Sequence, residues 1–116
     1  MSVSMYYNPA CSKCRAALAL LQEKGIEPEL IFYLETAPLL VELEDVLKKL
    51  RQQAKDMIRF NEAVALELGI SSKDERSDTD WLKIISANPK LLERPIVING
   101  DRAVIGRPPE RVLEIL

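Results

Sequence analysis

The sequence predicts an α/β fold in the order β-α-β, several helices, then β-β-α, and three observations carry that prediction. A β-branched and aromatic run at residues 3–7 is followed by a helix-forming stretch at 12–24 and by a second strand-like run at 29–34. Helical spacing of apolar residues then dominates from Leu39 to Asn88. Finally, the period changes to that of strands at 95–98 and 102–106, which flank the hairpin turn signal Asn99-Gly100-Asp101.

The first strand closes on Asn8-Pro9, a turn pair. In the helix at 12–24, Cys14, Ala17, Leu18 and Leu21 recur along one face, and Gly25 supplies a stop. The strand at 29–34 comes one helix after the first, so a βαβ unit with a parallel pair is expected. Pro38 opens an amphipathic helix at 39–51, with Leu40, Leu43, Val46, Leu47 and Leu50 on one side. Residues 54–60 and 61–68 fit a helix with a break, ended by Gly69, and 71–76 form a polar connection. Ser77 or Asp78 can cap the next helix, which runs through Trp81, Leu82, Ile84 and Ile85 to Asn88-Pro89. After the two C-terminal strands, Pro109 suits the first turn of a final short helix at 109–116, where no backbone N–H is needed. No linker divides the chain, so one domain over 1–116, with a helical insertion at about 39–90, is expected.

Composition narrows the chemistry. The chain has 116 residues, 47% hydrophobic, with 16 basic and 18 acidic groups, two cysteines and no histidine. Folding a chain of this size removes about two thirds of its accessible surface, enough for a core without metal or disulfide staples. The absence of histidine excludes a Ser-His-Asp triad, a Cys-His dyad, a Cys2His2 zinc site and imidazole base catalysis. Chemistry must therefore run on thiols, guanidiniums, hydroxyls or carboxylates. No apolar run approaches the roughly 20 residues that span a bilayer, and Met1-Ser2-Val3-Ser4-Met5 lacks a charged region ahead of an apolar one. The expectation is a cytoplasmic protein with no membrane partner. The net charge of -2 argues against broad nucleic-acid binding. Without evident heptads, a monomer is the default. In a reducing compartment, two cysteines are more often redox-active, metal-binding or buried than permanently bridged.

Cys11-Ser12-Lys13-Cys14 is a Cys-x-x-Cys that follows a strand and opens a helix. A thiol at a helix N-terminus faces unpaired N–H groups and the positive end of the dipole, which favour its thiolate. Those N–H groups also bind oxyanions, so an oxyanion can be held in front of the attacking sulfur. Lys13 and Arg15 add positive charge. Cys14 has two readings: it lies on the same side of the first turn and can resolve a disulfide, or it is a buried, inert thiol on the apolar face. Arg59, Arg94 and Arg107 sit beside structural punctuation, at a helix break, before Pro95, and between Gly106 and Pro108-Pro109. Guanidiniums hold oxyanions bidentately and keep their charge. Singly each reads as a surface residue; together with Cys11 they suggest an oxyanion pocket.

Five segments in this order and spacing resemble the glutaredoxin-coupled arsenate reductase family: Tyr7-Asn8-Pro9-Ala10-Cys11, Tyr33-Leu34-Glu35, Arg59-Phe60-Asn61, Glu93-Arg94-Pro95-Ile96-Val97 and Gly106-Arg107-Pro108-Pro109-Glu110. The resemblance implies a thioredoxin-like fold with a helical insertion and a cis proline at Pro95 bordering the active-site cysteine. It also implies Cys11 as the nucleophile that attacks arsenate, with Arg59, Arg94 and Arg107 binding the oxyanion and stabilising a covalent thiol-arsenate adduct. Glutathione would serve as co-substrate and glutaredoxin as partner, with thioredoxin the alternative donor, and arsenite as product. No metal and no tightly bound cofactor is implied. Two positions differ from the family pattern. Tyr7 stands where members often carry a histidine, and Cys14 stands where the reductases carry serine or another residue. The Cys-x-x-Cys is shared with the related Spx-like transcriptional regulators, whereas the Gly106–Glu110 motif resembles the reductase branch. A redox-sensing regulator built on the Cys11/Cys14 pair and a general thiol-disulfide oxidoreductase are the rival readings.

Overall fold

The computed structural model describes residues 2–116, which fall into two compact units. One combines the chain up to Glu35 with Arg94–Leu116, and the other is Thr36–Glu93.

The first unit contains a mixed four-stranded sheet ordered β2-β1-β3-β4. Its strands are β1 (Val3–Tyr6), β2 (Glu29–Ile31), β3 (Ile96–Asn99) and β4 (Arg102–Ile105), and its helix is α1 (Ser12–Glu23). β1 and β2 run parallel with Met5 opposite Leu30, as a βαβ unit requires. β3 inserts antiparallel beside β1, Val97 opposite Met5, and the β3-β4 hairpin sets Val97 against Val104. The hairpin turns at Gly100, whose φ of 63° is the left-handed conformation that glycine adopts without a Cβ clash. Val3, Met5, Val97 and Val104 thus bury a common core with Ala17 and Leu21 of α1 and Val112 and Ile115 of the C-terminal segment. Each of these side chains larger than alanine contributes about 1.5–3 kcal/mol by leaving water. Because β1 leads into α1 through residues 7–11, this packing fixes where the α1 N-terminus stands.

Two elements of this unit differ from the sequence expectation. The second strand ends at Ile31 and not at Leu34, because the chain turns: Tyr33 N–H donates to the Ile31 carbonyl at 3.0 Å and Glu35 N–H to that of Phe32 at 3.0 Å. The turn sends the Tyr33 ring inward, edge-on to Tyr6 with centroids 6.3 Å apart. The last helix is a 3₁₀ helix over Pro109–Ile115. Its buried residues are Pro109, Val112 and Ile115, a repeat of three that lines up along a 3₁₀ helix and drifts around an α-helix.

The second unit is helical: α2 (Leu40–Leu50), a 3₁₀ turn at Ala54–Met57, α3 (Ala63–Leu68), α4 (Asp78–Ala87) and a 3₁₀ turn at Pro89–Leu91. α2 packs on α4, burying Leu43, Val46 and Leu50 on one side and Trp81, Leu82 and Ile85 on the other. Ser77 caps α4, its hydroxyl accepting from Asp80 N–H at 3.1 Å. Of the segment read as a helix with a break, 54–60 forms only the 3₁₀ turn, because Ile58 leaves it for an antiparallel bridge with Leu92, whereas 61–68 holds α3, ended by Gly69. Among the described residues no helix is long and apolar enough to cross a membrane.

Candidate active site

The loop between β1 and α1 is organised by Asn8. Its side-chain oxygen accepts from Ala10 N–H at 3.0 Å and its carbonyl from Cys11 N–H at 2.9 Å, a local turn of the kind asparagine favours. Arg15 reaches back from α1 to donate to the Pro9 carbonyl at 2.7 Å, so its guanidinium clasps the loop. The result delivers Cys11 as the N-cap residue of α1, with φ -91° and ψ 119°. No hydroxyl or carboxylate caps this helix end, and the N–H groups of the first turn face the Cys11 sulfur.

Cys11 is half-buried and Cys14, three residues on, is fully buried. Burial pushes the Cys11 thiol up, but hydrogen bonds outweigh it and the net direction is down. The donors are Cys14 N–H, the Cys14 thiol, Lys13 N–H and the Arg94 guanidinium. Cys14 moves the opposite way and is pushed up to about 12. Burial is the main cause, reinforced by the hydrogen bond to Cys11 and by that sulfur's charge, while an Asn8 main-chain hydrogen bond and the Arg94 charge oppose it. The two thiols are therefore unequal: Cys11 is shifted toward its thiolate and Cys14 away from it.

Arg94 immediately precedes Pro95 at the entry to β3, and the Arg94–Pro95 peptide bond is cis. Gly106 at the end of β4 closes the hairpin beside it, its N–H donating to the Pro95 carbonyl at 2.8 Å. A Cβ at Gly106 would lie 2.9 Å from Pro95 Cγ, so only glycine permits this approach. Arg107 follows, and its Nε donates to the Arg94 carbonyl at 2.7 Å. A second cis bond, Arg107–Pro108, comes directly after it.

Cys11, Cys14, Arg94, Pro95 and Arg107 thus all belong to the first unit. Arg59 belongs to the second. There its N–H donates to the Leu91 carbonyl at 2.7 Å and its guanidinium lies 3.4 Å from Glu62 and 3.7 Å from Glu93. Sequence reading gave no role at the site to Asn8, Gly106, Glu62 or Glu93. For Asn8 the signal was the Asn-Pro turn pair, and for Glu62 the i,i+3 spacing from Arg59; Gly106 and Glu93 entered only as members of the segments that resemble the family.

A half-buried thiol shifted toward its thiolate, with a guanidinium and the first-turn N–H groups of α1 on it, can attack an electrophilic centre whose oxygens need positive partners. Among the described residues no cluster of three or more cysteine or carboxylate side chains offers a metal site.

Known proteins resemble this chain over almost its whole length. The model of the ArsC family matches residues 6–115. A protein of Haemophilus influenzae named arsenate reductase is 47% identical over 117 residues, covering all of both chains. The Escherichia coli K12 protein YfgD, described as uncharacterized, is 44% identical, covering 98% of this chain and 96% of its own. A solved structure titled arsenate reductase from Vibrio cholerae superposes with a TM-score of 0.93 at 44% identity, over all of this chain and 98% of that one. The fold is the thioredoxin-like α/β fold of these neighbours.

Proposed function

The chain belongs to the ArsC family, and from that premise we propose that it reduces arsenate to arsenite through a covalent adduct on Cys11. The observation that carries this reading is the pairing of Cys11, the thiol driven toward its thiolate, with the Arg94 guanidinium at its sulfur. The Cys11 sulfur attacks arsenic, an S–As bond forms, and an arsenic oxygen departs as hydroxide. Arg94 and Arg107, both in the unit that carries Cys11, bind the arsenate oxygens. Their fixed charges stabilise the negative transition state where a neutral donor would do less. The N–H groups of the first turn of α1 act in the same sense.

Reduction of As(V) to As(III) takes two electrons, which thiols supply by becoming a disulfide. Glutathione with glutaredoxin is the donor system in this reading, and thioredoxin the alternative. The protein then works as a monomer in the cytoplasm, where free thiols persist. The family's usual histidine is replaced by Tyr7. Donors already at the sulfur, the Cys14 and Lys13 main chain, the Cys14 thiol and Arg94, support thiolate formation without it.

The test is arsenate-dependent consumption of reducing equivalents, with glutathione plus glutaredoxin and separately with thioredoxin. Wild type is expected to turn over with one of them and Cys11→Ser with neither. Equal turnover in the serine variant would refute the reading.

A further inference from the structure

We infer that Cys14 is the resolving thiol of this reaction: its sulfur attacks Cys11 Sγ of the thiol-arsenate adduct, forming a Cys11–Cys14 disulfide and expelling arsenite. The inference rests on the proposed function and adds to it the step that releases product.

The balance is complete within the chain. The Cys11 thiolate displaces hydroxide from arsenate and leaves a sulfur-bound arsenic(V). A lone pair of the Cys14 sulfur then forms the S–S bond, and the S–As pair goes to arsenic, which becomes arsenic(III). The Cys14 proton ends on an arsenite oxygen. Two thiols are oxidised to one disulfide, which an external thiol reduces before the next turnover.

Three features of the site carry this step. The first is reach. Cys14 hydrogen-bonds the Cys11 sulfur across the first turn of α1. Helical geometry separates Cα atoms three residues apart by about 5 Å, inside the roughly 4.4–6.8 Å that a disulfide bridges. The second is exclusivity. Cys14 has no solvent exposure, so arsenate and external thiols meet Cys11, and the Cys14 sulfur has Cys11 as its neighbouring electrophile.

The third is order. While Cys11 is a thiolate, its charge and its hydrogen bond hold the Cys14 proton in place. Bonding to arsenic takes the charge off the Cys11 sulfur, and the adduct carries its charge on arsenic oxygens that the arginines bind. The influences that favour ionisation of Cys14, the Asn8 main-chain hydrogen bond and the Arg94 charge, stay where they are. Attack by Cys11 therefore makes Cys14 easier to ionise, and the second nucleophile is released only after the first has reacted. Proximity then favours Cys14 over a thiol arriving from solution.

The test is a single turnover under anaerobic conditions, with fully reduced protein, arsenate and no added thiol. Wild type should release about one arsenite per chain, lose both free thiols and yield a Cys11–Cys14 disulfide on peptide mapping. In Cys14→Ser the hydroxyl keeps a donor at Cys11 but brings no electrons. Thiol-free arsenite should fall by at least about tenfold while the arsenate adduct accumulates on Cys11. The peptide map of wild type decides the matter even where the variant folds poorly. Wild type that holds the adduct and releases arsenite only on adding glutathione would overturn the inference and leave the proposed function standing. Wild type that gives neither adduct nor arsenite, with or without glutathione, would overturn both.

Discussion

Arg107 Nε donates a 2.7 Å hydrogen bond to the main-chain carbonyl of Arg94, so one arginine of the site holds the backbone that carries the other. A guanidinium presents five donors in a rigid fork, and this anchor uses one of them. Arg107→Lys keeps the charge but not the fork. Its expected effect is a loss in kcat/KM for arsenate of about 10- to 100-fold, with Arg107→Ala at or beyond the upper end. Steady-state kinetics against arsenate concentration measure it. A lysine variant with wild-type kinetics would show that the anchor is irrelevant.

The two cysteines should react very differently with iodoacetamide. The native protein loses one thiol quickly, that of Cys11, and the rate rises with pH through a midpoint below 9.0, the value of an ordinary thiol. Cys14 stays unlabelled until the protein unfolds. Removing the guanidinium in Arg94→Met deletes a donor to the thiolate and moves the Cys11 midpoint upward.

Alkaline stability follows from Cys14. Its native pKa of about 12 lies above the 9.0 of the unfolded chain, so the native state binds the proton more tightly. The stability this represents is fully present below pH 9.0 and is lost as pH rises toward about 12. Cys11, shifted down, works in the opposite sense: its contribution is present above pH 9.0 and is lost as pH falls through its lowered native value. Denaturant midpoints measured from pH 8 upward, as an order-of-magnitude window, should fall less steeply in Cys14→Ala than in wild type.

Gly106→Ala places a methyl 2.9 Å from Pro95 Cγ and 3.0 Å from Val112 Cγ1. Neither neighbour is the free end of a flexible chain, so overpacking should cost about 1–3 kcal/mol. Thermal unfolding checks the stability. Because Pro95 follows Arg94, a slower Cys11 alkylation is expected in the same variant.

Ser77→Ala in the other unit provides the contrast. It removes the cap that accepts from Asp80 N–H at 3.1 Å and should cost about 1 kcal/mol of stability. Cys11 alkylation, set by the first unit's own donors, should keep its rate.

Much of this was legible in the chain. The period-two runs, the hairpin turn signal and the apolar face of α1 reported local physics that the fold obeys, down to Gly100 at the turn. The short second strand was not legible, because Phe32-Tyr33-Leu34 has strand composition. A tertiary contact, Tyr33 on Tyr6, decides where it ends. The same holds for Pro109–Ile115, whose residue types suit an α-helix and whose buried spacing selects the 3₁₀ form. At the site, the helix N-terminus argument located Cys11, since it depends only on neighbours in sequence. The bond from Arg107 to the Arg94 carbonyl spans 13 residues and is made by a hairpin, so no local pattern announces it. The inequality of the thiols required knowing which one the core encloses.

The central claim is that arsenate reacts at the Cys11 sulfur. Its most direct test is the alkylation rate of Cys11 at fixed pH, measured against arsenate concentration with quench and peptide mapping. Saturable protection of Cys11 by arsenate, weakened in Arg94→Met and Arg107→Ala, is the predicted result. Labelling of Cys11 at an unchanged rate under saturating arsenate would contradict the account.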